Sequence, residues 1–192
     1  MPKLIQPKIT TPTRIVVQGR LSYVHLWEAH AAPQTDNYKY SVAVLIPKTD
    51  TDTVKAVKDA IEAAFAEGIK SKQGWKGLRP KKGTPNPLKD GDDPEMTEDY
   101  RGCWVFNASS KSRVPVLGRD QMPITNQEEV YSGCWGLVSV NFFPYDTAGN
   151  KGVSCGLNAV LKTADDKPLA ARDSAKDFEG MLPEEDEGLD DM

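Results

Sequence analysis

The sequence predicts a mainly β protein: a five-stranded barrel with one helix in mid-chain, a long charged loop insertion and a disordered acidic C-terminal tail. Three observations lead there. Runs rich in Val, Ile, Tyr, Phe and Trp are cut at short intervals by turn formers, with 14 Pro and 15 Gly in 192 residues, which suits short strands better than a helical bundle. Apolar spacing of helical period is convincing in one stretch only. After Pro168 the chain turns small and polar and then acidic, with too little apolar surface to bury.

Residues 1–13 are rich in Pro, Thr and Lys and read as an extended arm before a domain spanning 14–172. The first strand run, Arg14 to Trp27, is long for one straight strand, and Gly19 in its middle implies a bend or bulge. After a loop at 31–37, the run Tyr38 to Ile46 is rich in β-formers and stops at Pro47. A helix then starts at Asp50 or Asp52, either of which suits an N-cap. It carries Val54, Val57, Ile61, Ala64 and Phe65 on one face and is expected to end at Gly68. That stripe reads as core rather than a partner groove. From 69 to 102 regular patterning lapses, and a loop of that length in a small domain is usually functional or mobile. Strands resume at Cys103 to Ser109 and briefly at Val114 to Leu117. The strongest run is Val130 to Phe143, and after a turn at 144–152 Val153 to Lys162 returns as its hairpin partner. Five strands and one helix suggest a small barrel of the OB type, with a β-sandwich as the alternative.

The net charge of −4 hides a split. Residues 173–192 hold nine acids and one base, a net −8, so residues 1–172 carry +4. Within the long loop, residues 70–89 hold Lys70, Lys72, Lys76, Arg79, Lys81, Lys82 and Lys89 and no acid; residues 90–99 hold six acids and no base. No run approaches the roughly 20 apolar residues of a membrane helix, and the first residues lack a signal-peptide core, so a soluble intracellular chain without membrane association is expected. Cys103, Cys134 and Cys155 are scattered, which predicts buried free thiols; a zinc site combining them with His25 or His30 is the lesser reading.

Period-2 alternation sorts the strands into faces. Cys134, Gly136, Val138, Val140 and Phe142 share one side, and Trp135, Leu137, Ser139, Asn141 and Phe143 the other. In the last strand Val153, Cys155, Leu157, Ala159 and Leu161 oppose Ser154, Gly156, Asn158, Val160 and Lys162. One sheet face is thus apolar, and the other mixes aromatic, amide, hydroxyl and basic groups. Such a face suits unpaired bases, which stack on aromatic planes while cations hold phosphates. Trp135, Asn141, Phe143 and Lys162 are candidates on it, although Trp135 and Phe143 would serve equally well packed under a neighbouring loop. Tyr23, Trp27, Tyr38 and Lys39 on the first two strands join them by the same face and charge arguments. Asn107, Lys111 and Arg113 leave a strand with hydroxyls around them, as phosphate contacts do. In the basic block, Trp75 among Lys76, Arg79, Lys81 and Lys82 suggests a mobile phosphate clamp. No phosphate loop, nucleophile elbow or His-Glu-x-x-His occurs. Asp90 to Glu95 fails the calcium-loop pattern, with Glu95 where Gly is required. No cofactor, no metal and no catalytic residue is expected.

The runs Arg20 to Trp27, Tyr40 to Pro47, Asn107 to Lys111, Val130 to Gly136 and, most specifically, Asn141-Phe-Phe-Pro-Tyr-Asp-Thr-Ala-Gly-Asn-Lys-Gly-Val-Ser-Cys-Gly-Leu-Asn158 together resemble one family in the same order. It is the tailed-phage single-stranded DNA-binding family with an OB-like fold, long catalogued as a domain of unknown function. The resemblance spans about residues 14–172. It implies sequence-tolerant binding of single-stranded DNA in phage replication or recombination, no catalysis, and the cytoplasm of an infected bacterial host as location. It also implies that the acidic tail competes with DNA or recruits replication or recombination proteins. Here the tail ends Gly188-Leu-Asp-Asp-Met192 without the aromatic tip common in such proteins, which favours competition over docking. Self-association is left open. The competing readings are a phage structural or scaffold barrel, and a metal-dependent nuclease using Asp90, Asp92 and Glu95.

Overall fold

A computed structural model describes residues 1–80, 86–147 and 150–169 of the chain. Its architecture follows from one long strand, β2 (Arg14–His30, 17 residues), whose two halves have different partners. Arg14 to Arg20 run antiparallel to β7 (Trp135–Thr147), and Arg20 to His30 run antiparallel to β3 (Lys39–Pro47). Arg20 pairs with both Leu45 and Trp135. The change of partner falls beside Gly19, where a Cβ would lie 2.5 Å from Val44 Cγ1 and 3.0 Å from the Leu45 carbonyl oxygen. The bend expected at Gly19 is therefore a crossing too close for a side chain.

From β3 the sheet continues antiparallel to β5 (Cys103–Ser110), while β7 turns back into β8 (Asn150–Ala164). A parallel contact between Ser109 and Gly156 joins β5 to β8 and closes five strands in the order β2, β3, β5, β8, β7. The protein is thus the barrel rather than the sandwich. Three short strands decorate it: β1 (Lys8–Thr11) on β2, β4 (Lys89–Asp90) on β5 and β6 (Val116–Leu117) on β8. The N-terminal arm and the long loop therefore each contribute an element that patterning missed. Two-residue β4 is too short to leave a periodic signal.

The barrel interior is filled by Ile15, Val17, Leu21, Val42, Val44, Ile46, Phe106, Ala108, Val138, Val140, Phe142, Cys155, Leu157 and Val160, all nearly inaccessible. Phe106 and Phe142 meet edge to face at 5.8 Å between centroids. Helix α1 (Thr51–Ser71) is capped by Asp50, whose carboxylate accepts from the Thr53 amide at 3.4 Å. Val57, Ala60, Ile61, Ala64 and Phe65 on its buried face join the barrel core, chiefly against β7. Of the three thiols, Cys134 and Cys155 are buried and Cys103 is half-buried, all free.

Two departures have clear causes. The helix runs past Gly68, because this glycine seats the Trp75 ring instead of ending the helix; a Cβ would overlap that ring and lie 2.8 Å from Pro144 Cβ. In β8 the register slips between Ser139–Ala159 and Val140–Leu157, leaving Asn158 as an extra residue. Beyond this bulge the faces invert. Val160 is buried, Ala159 and Leu161 are only half-buried, and Lys162 moves to the opposite side from that expected by strict alternation.

Gly68→Ala should therefore lower stability by about 1–3 kcal/mol through overpacking, although alanine is the better helix former by ~1 kcal/mol. Urea denaturation checks this; an increase in the unfolding midpoint would mean that Trp75 is not seated on α1.

Candidate nucleic-acid interface

Beyond Ser22, β2 pairs irregularly with β3, with register shifts between Ser22 and His25 and between His25 and His30. Tyr23 sits in the first irregularity at φ +46°, a left-handed conformation costing a residue with a side chain on the order of 1–3 kcal/mol. The distortion turns its ring outward, 58% exposed. Tyr38, immediately before β3, is 61% exposed. Between them on the hairpin, the His25 and His30 rings stack 4.2 Å apart and nearly parallel. Burial first, and then neighbouring His30, pushes the His25 pKa below its ordinary value, so it favours the neutral form. Lys39 pairs across from His30. Trp27 is half-buried; its carbonyl accepts from Arg113 Nη2 at 3.4 Å, and its Nε1 has no partner among the described residues.

Below this hairpin a row of outward positions crosses all five strands. His25 lies opposite Ser41, Ser41 opposite Ser109, Ser109 opposite Gly156, Gly156 opposite Asn141, and Asn141 opposite Arg14. Their neighbours Leu26, Val42, Ala108, Cys155, Val140 and Ile15 face the core, which fixes the row on the outside. Its middle is small and polar, and the Asn141 amide lies across Gly156, where a Cβ would be 2.7 Å from Oδ1. Exposed Asn107 lies one step along β5 from this row, Phe143, 41% exposed, lies one step along β7, and Lys111 follows Ser110, the partner of Tyr40.

Much of the remaining outer surface is covered. Gln18 is buried beneath the N-terminal arm, accepting from the Ile5 amide at 3.0 Å and donating to the Lys3 carbonyl at 3.2 Å. Leu45 and Val105 are roofed by Tyr100, Met96 and Leu169, and the Tyr100 hydroxyl lies 3.1 Å from Ser22 Oγ. The hairpin with Tyr23 and Tyr38 and the polar row beside it stay open.

The family model for the single-stranded DNA-binding protein of Enterobacter phage Enc34 matches residues 13–189. The chain belongs to the Enc34 family. Putative protein p50 of Acyrthosiphon pisum secondary endosymbiont phage 1 is 33% identical over 175 residues, covering 88% of this chain and 94% of that protein. The Enc34 protein solved in complex with single-stranded DNA is similar with a TM-score of 0.70 at 26% identity, over 85% of this chain and 97% of that one. Bacteriophage T7 gp2.5, a single-stranded DNA-binding protein, shares the fold with a TM-score of 0.54 at 16% identity, over 82% and 96% of the two chains.

In this Enc34-family chain, four residues expected at the interface are engaged by other parts of the fold, two of them buried and Arg79 in an exposed ion pair. Trp75 is 3% exposed, packed on Phe65 and donating from Nε1 to the Tyr145 carbonyl at 3.2 Å; it is an anchor, not an exposed clamp. Trp135, also 3% exposed, lies under residues 165–169 and donates to Asp166 at 2.8 Å. Arg79 forms a two-bond pair with Glu62, at 2.6 and 2.9 Å, and lies over the Phe65 ring. Lys162, displaced by the bulge, is held by Asp165 at 2.6 Å over Tyr131. Lys76 is exposed at the end of a 3-10 turn, and Lys81 and Lys82 lie outside the described residues. The acidic stretch serves the fold, since Asp90 and Asp92 both bind Lys48, at 2.7 and 2.6 Å, and Asp92 accepts from the Gly102 amide. Among the described residues no group of three or more His, Cys, Asp or Glu side chains is gathered to hold a metal.

Sequence reasoning weighed His25 and His30 only as zinc ligands, and it did not single out Ser41, Ser109 and Gly156. Alternation against Val42 and Ala108 places Ser41 and Ser109 outward, but only the strand pairing puts them side by side.

The 165–169 segment makes stability depend on pH. The Trp135 indole N–H, followed by the Lys167 amide, holds the Asp166 carboxyl below its ordinary range. A depressed carboxyl stabilises the fold fully above its unfolded pKa, about 4, and that contribution is lost as pH falls through the lower folded value. Denaturant unfolding between pH 3 and 6 should show this loss in the native chain and a smaller one in Asp166→Asn. Equal pH dependence in both would remove Asp166 as its source.

Proposed function

We propose that the chain binds single-stranded DNA without sequence preference, protecting and organising it during phage DNA replication or recombination. One observation carries the reading: two exposed tyrosines, one held in a left-handed bulge, stand beside a row of small polar outward positions on a closed barrel. Membership of the Enc34 family and the likeness to an Enc34 protein solved with single-stranded DNA support it.

The chemistry follows from the residues. Bases free of pairing present π-faces of any sequence to Tyr23 and Tyr38, with Phe143 as a further platform, and each stacked base contributes ~1–3 kcal/mol. Ser41, Ser109 and Gly156 leave room for a strand to approach the sheet, while Asn107 and Asn141 offer amides. Lys39, Lys111 and Arg113 supply phosphate contacts, and Trp27 supports the hairpin from behind. We read the protein as a binding module without a catalytic step, working in the cytoplasm of the infected host. The acidic tail from 173 onward lies outside the described residues, but Leu169 leaves the barrel on the outer cluster with Leu45 and Val105. The −8 segment of residues 173–192 competes with DNA for the positive body by charge, and it offers replication or recombination proteins a docking segment.

A fluorescence titration with oligo-dT tests the function. Full-length protein should bind with quenching and lose affinity as salt rises. Tyr23→Ala and Tyr38→Ala should each weaken binding about 5- to 150-fold with thermal unfolding little changed. A duplex of equal length should bind more weakly, and deletion of 173–192 should tighten binding at low salt. No detectable oligo-dT binding at low salt, with or without the tail, would sink the proposal.

A further inference from the structure

Trp75 fastens a basic segment to the tip of the β7–β8 hairpin. Gly68, beneath its ring, packs on Pro144; Trp75 Nε1 bonds the Tyr145 carbonyl; and Gly74 packs directly on the Asp146 carboxylate, closer than any side chain would permit. Three consecutive β7 residues thereby hold the stretch from the last turn of α1 through the 3-10 turn Gln73–Trp75. The turn ends with Lys76 in the left-handed conformation, φ +51°.

The solvent side of this seat is cationic. Lys70 and Lys76 are exposed and Lys72 is half-buried. None of the three forms an ion pair among the described residues, whereas Lys48, Lys55, Arg79 and Lys162 are each engaged by a carboxylate. On β8, Lys151 lies opposite Asp146. The nearby acids are Asp146, which packs on Gly74 and lies across from Lys151, and Glu67 on the helix, two against four cations. The hairpin also carries Phe143, three residues from Asp146, or about 10 Å along a strand, and then Asn141 of the polar row, both on its opposite face. Favourable interaction of a cation with a helix C-terminus accounts for Lys70 but not for Lys76 or Lys151, which lie beyond the helix.

We propose that Lys70, Lys72, Lys76 and Lys151 form a phosphate-binding ridge that receives the single-stranded DNA backbone as it passes over the β7–β8 hairpin from the Phe143 face, with Trp75 as its positioning residue. The inference rests on the single-stranded DNA reading and extends that site along the β7–β8 hairpin.

The test is the salt dependence of oligo-dT binding by the full chain. Single-strand contacts contribute roughly 0.7 each to the slope of log K against log salt. The variant K70Q/K72Q/K76Q should therefore lose about 2 from the slope with its thermal unfolding unchanged. The charge-matched variant K55Q/K58Q/K89Q, altered elsewhere on α1 and on β4, should keep the native slope. Trp75→Phe, which retains a ring but loses the bond to Tyr145, should lower the slope in the native background and have no effect on it in K70Q/K72Q/K76Q. A merely structural defect would act equally in both. A native slope in K70Q/K72Q/K76Q, or an equal loss in the matched variant, overturns the ridge while leaving single-stranded DNA binding intact. Absence of oligo-dT binding by the native chain removes both.

Discussion

Everything in this fold depends on β2 serving two partners. Seventeen residues of one strand pair with β7 over one half and β3 over the other, and the switch is made where Gly19 lets the backbones of β2 and β3 come within side-chain distance. A straight β2 would leave an open sheet with β5 and β8 as exposed edges. Bent, it curls the sheet until Ser109 reaches Gly156 and closure removes those edges. The row from His25 to Arg14 exists only because of that closure, since its members come from five strands that are far apart in sequence.

Two tryptophans and the hairpin tyrosines divide by the hydrogen-bonding demands of their rings, whereas Trp27 keeps its buried Nε1 without a partner among the described residues. Trp75 and Trp135 are buried where each indole N–H finds an acceptor, the Tyr145 carbonyl and the Asp166 carboxylate, which is how tryptophans are usually accommodated in an interior. Both fasten accessory segments onto a barrel that is already closed. The tyrosines on the β2–β3 hairpin carry a hydroxyl that water satisfies, and Tyr23 and Tyr38 stay outside. Charged groups divide similarly. The acids of the 90–99 stretch hold Lys48 and the backbone of their own loop. Exposed pairs of this kind add little stability, so their effect is to shape the loop that roofs Leu45 and Val105.

Legibility followed the range of each interaction. The α1 stripe and the inward sides of β3 and β7 were readable because helix and strand periods are local. Tyr38, Asn107, Asn141 and Phe143 were readable as outward candidates for the same reason, whereas alternation from Val17 and Leu21 points Tyr23 inward and only the bulge turns it out. Trp75 was misread because its neighbours in sequence are lysines, whereas its neighbours in space are Phe65, Gly68 and the β7 backbone. Lys162 was misplaced by a single extra residue, Asn158, which reverses the alternation after it. Gly68 resembled a helix stop because its actual contact lies seven residues away on a segment with no periodic pattern.

By itself the sequence determined the class of fold, the one helix and its cap, the segregation of charge into a basic body and an acidic end, and a family resemblance that the match over residues 13–189 bears out. These are properties of composition and of periods shorter than about ten residues. Only the tertiary structure decided which tryptophans are anchors, which cations remain unpaired among the described residues, and which small polar residues form one row. Such outcomes depend on strand register, bulges and contacts between distant segments, and a one-residue change in any of them moves a side chain to the other face.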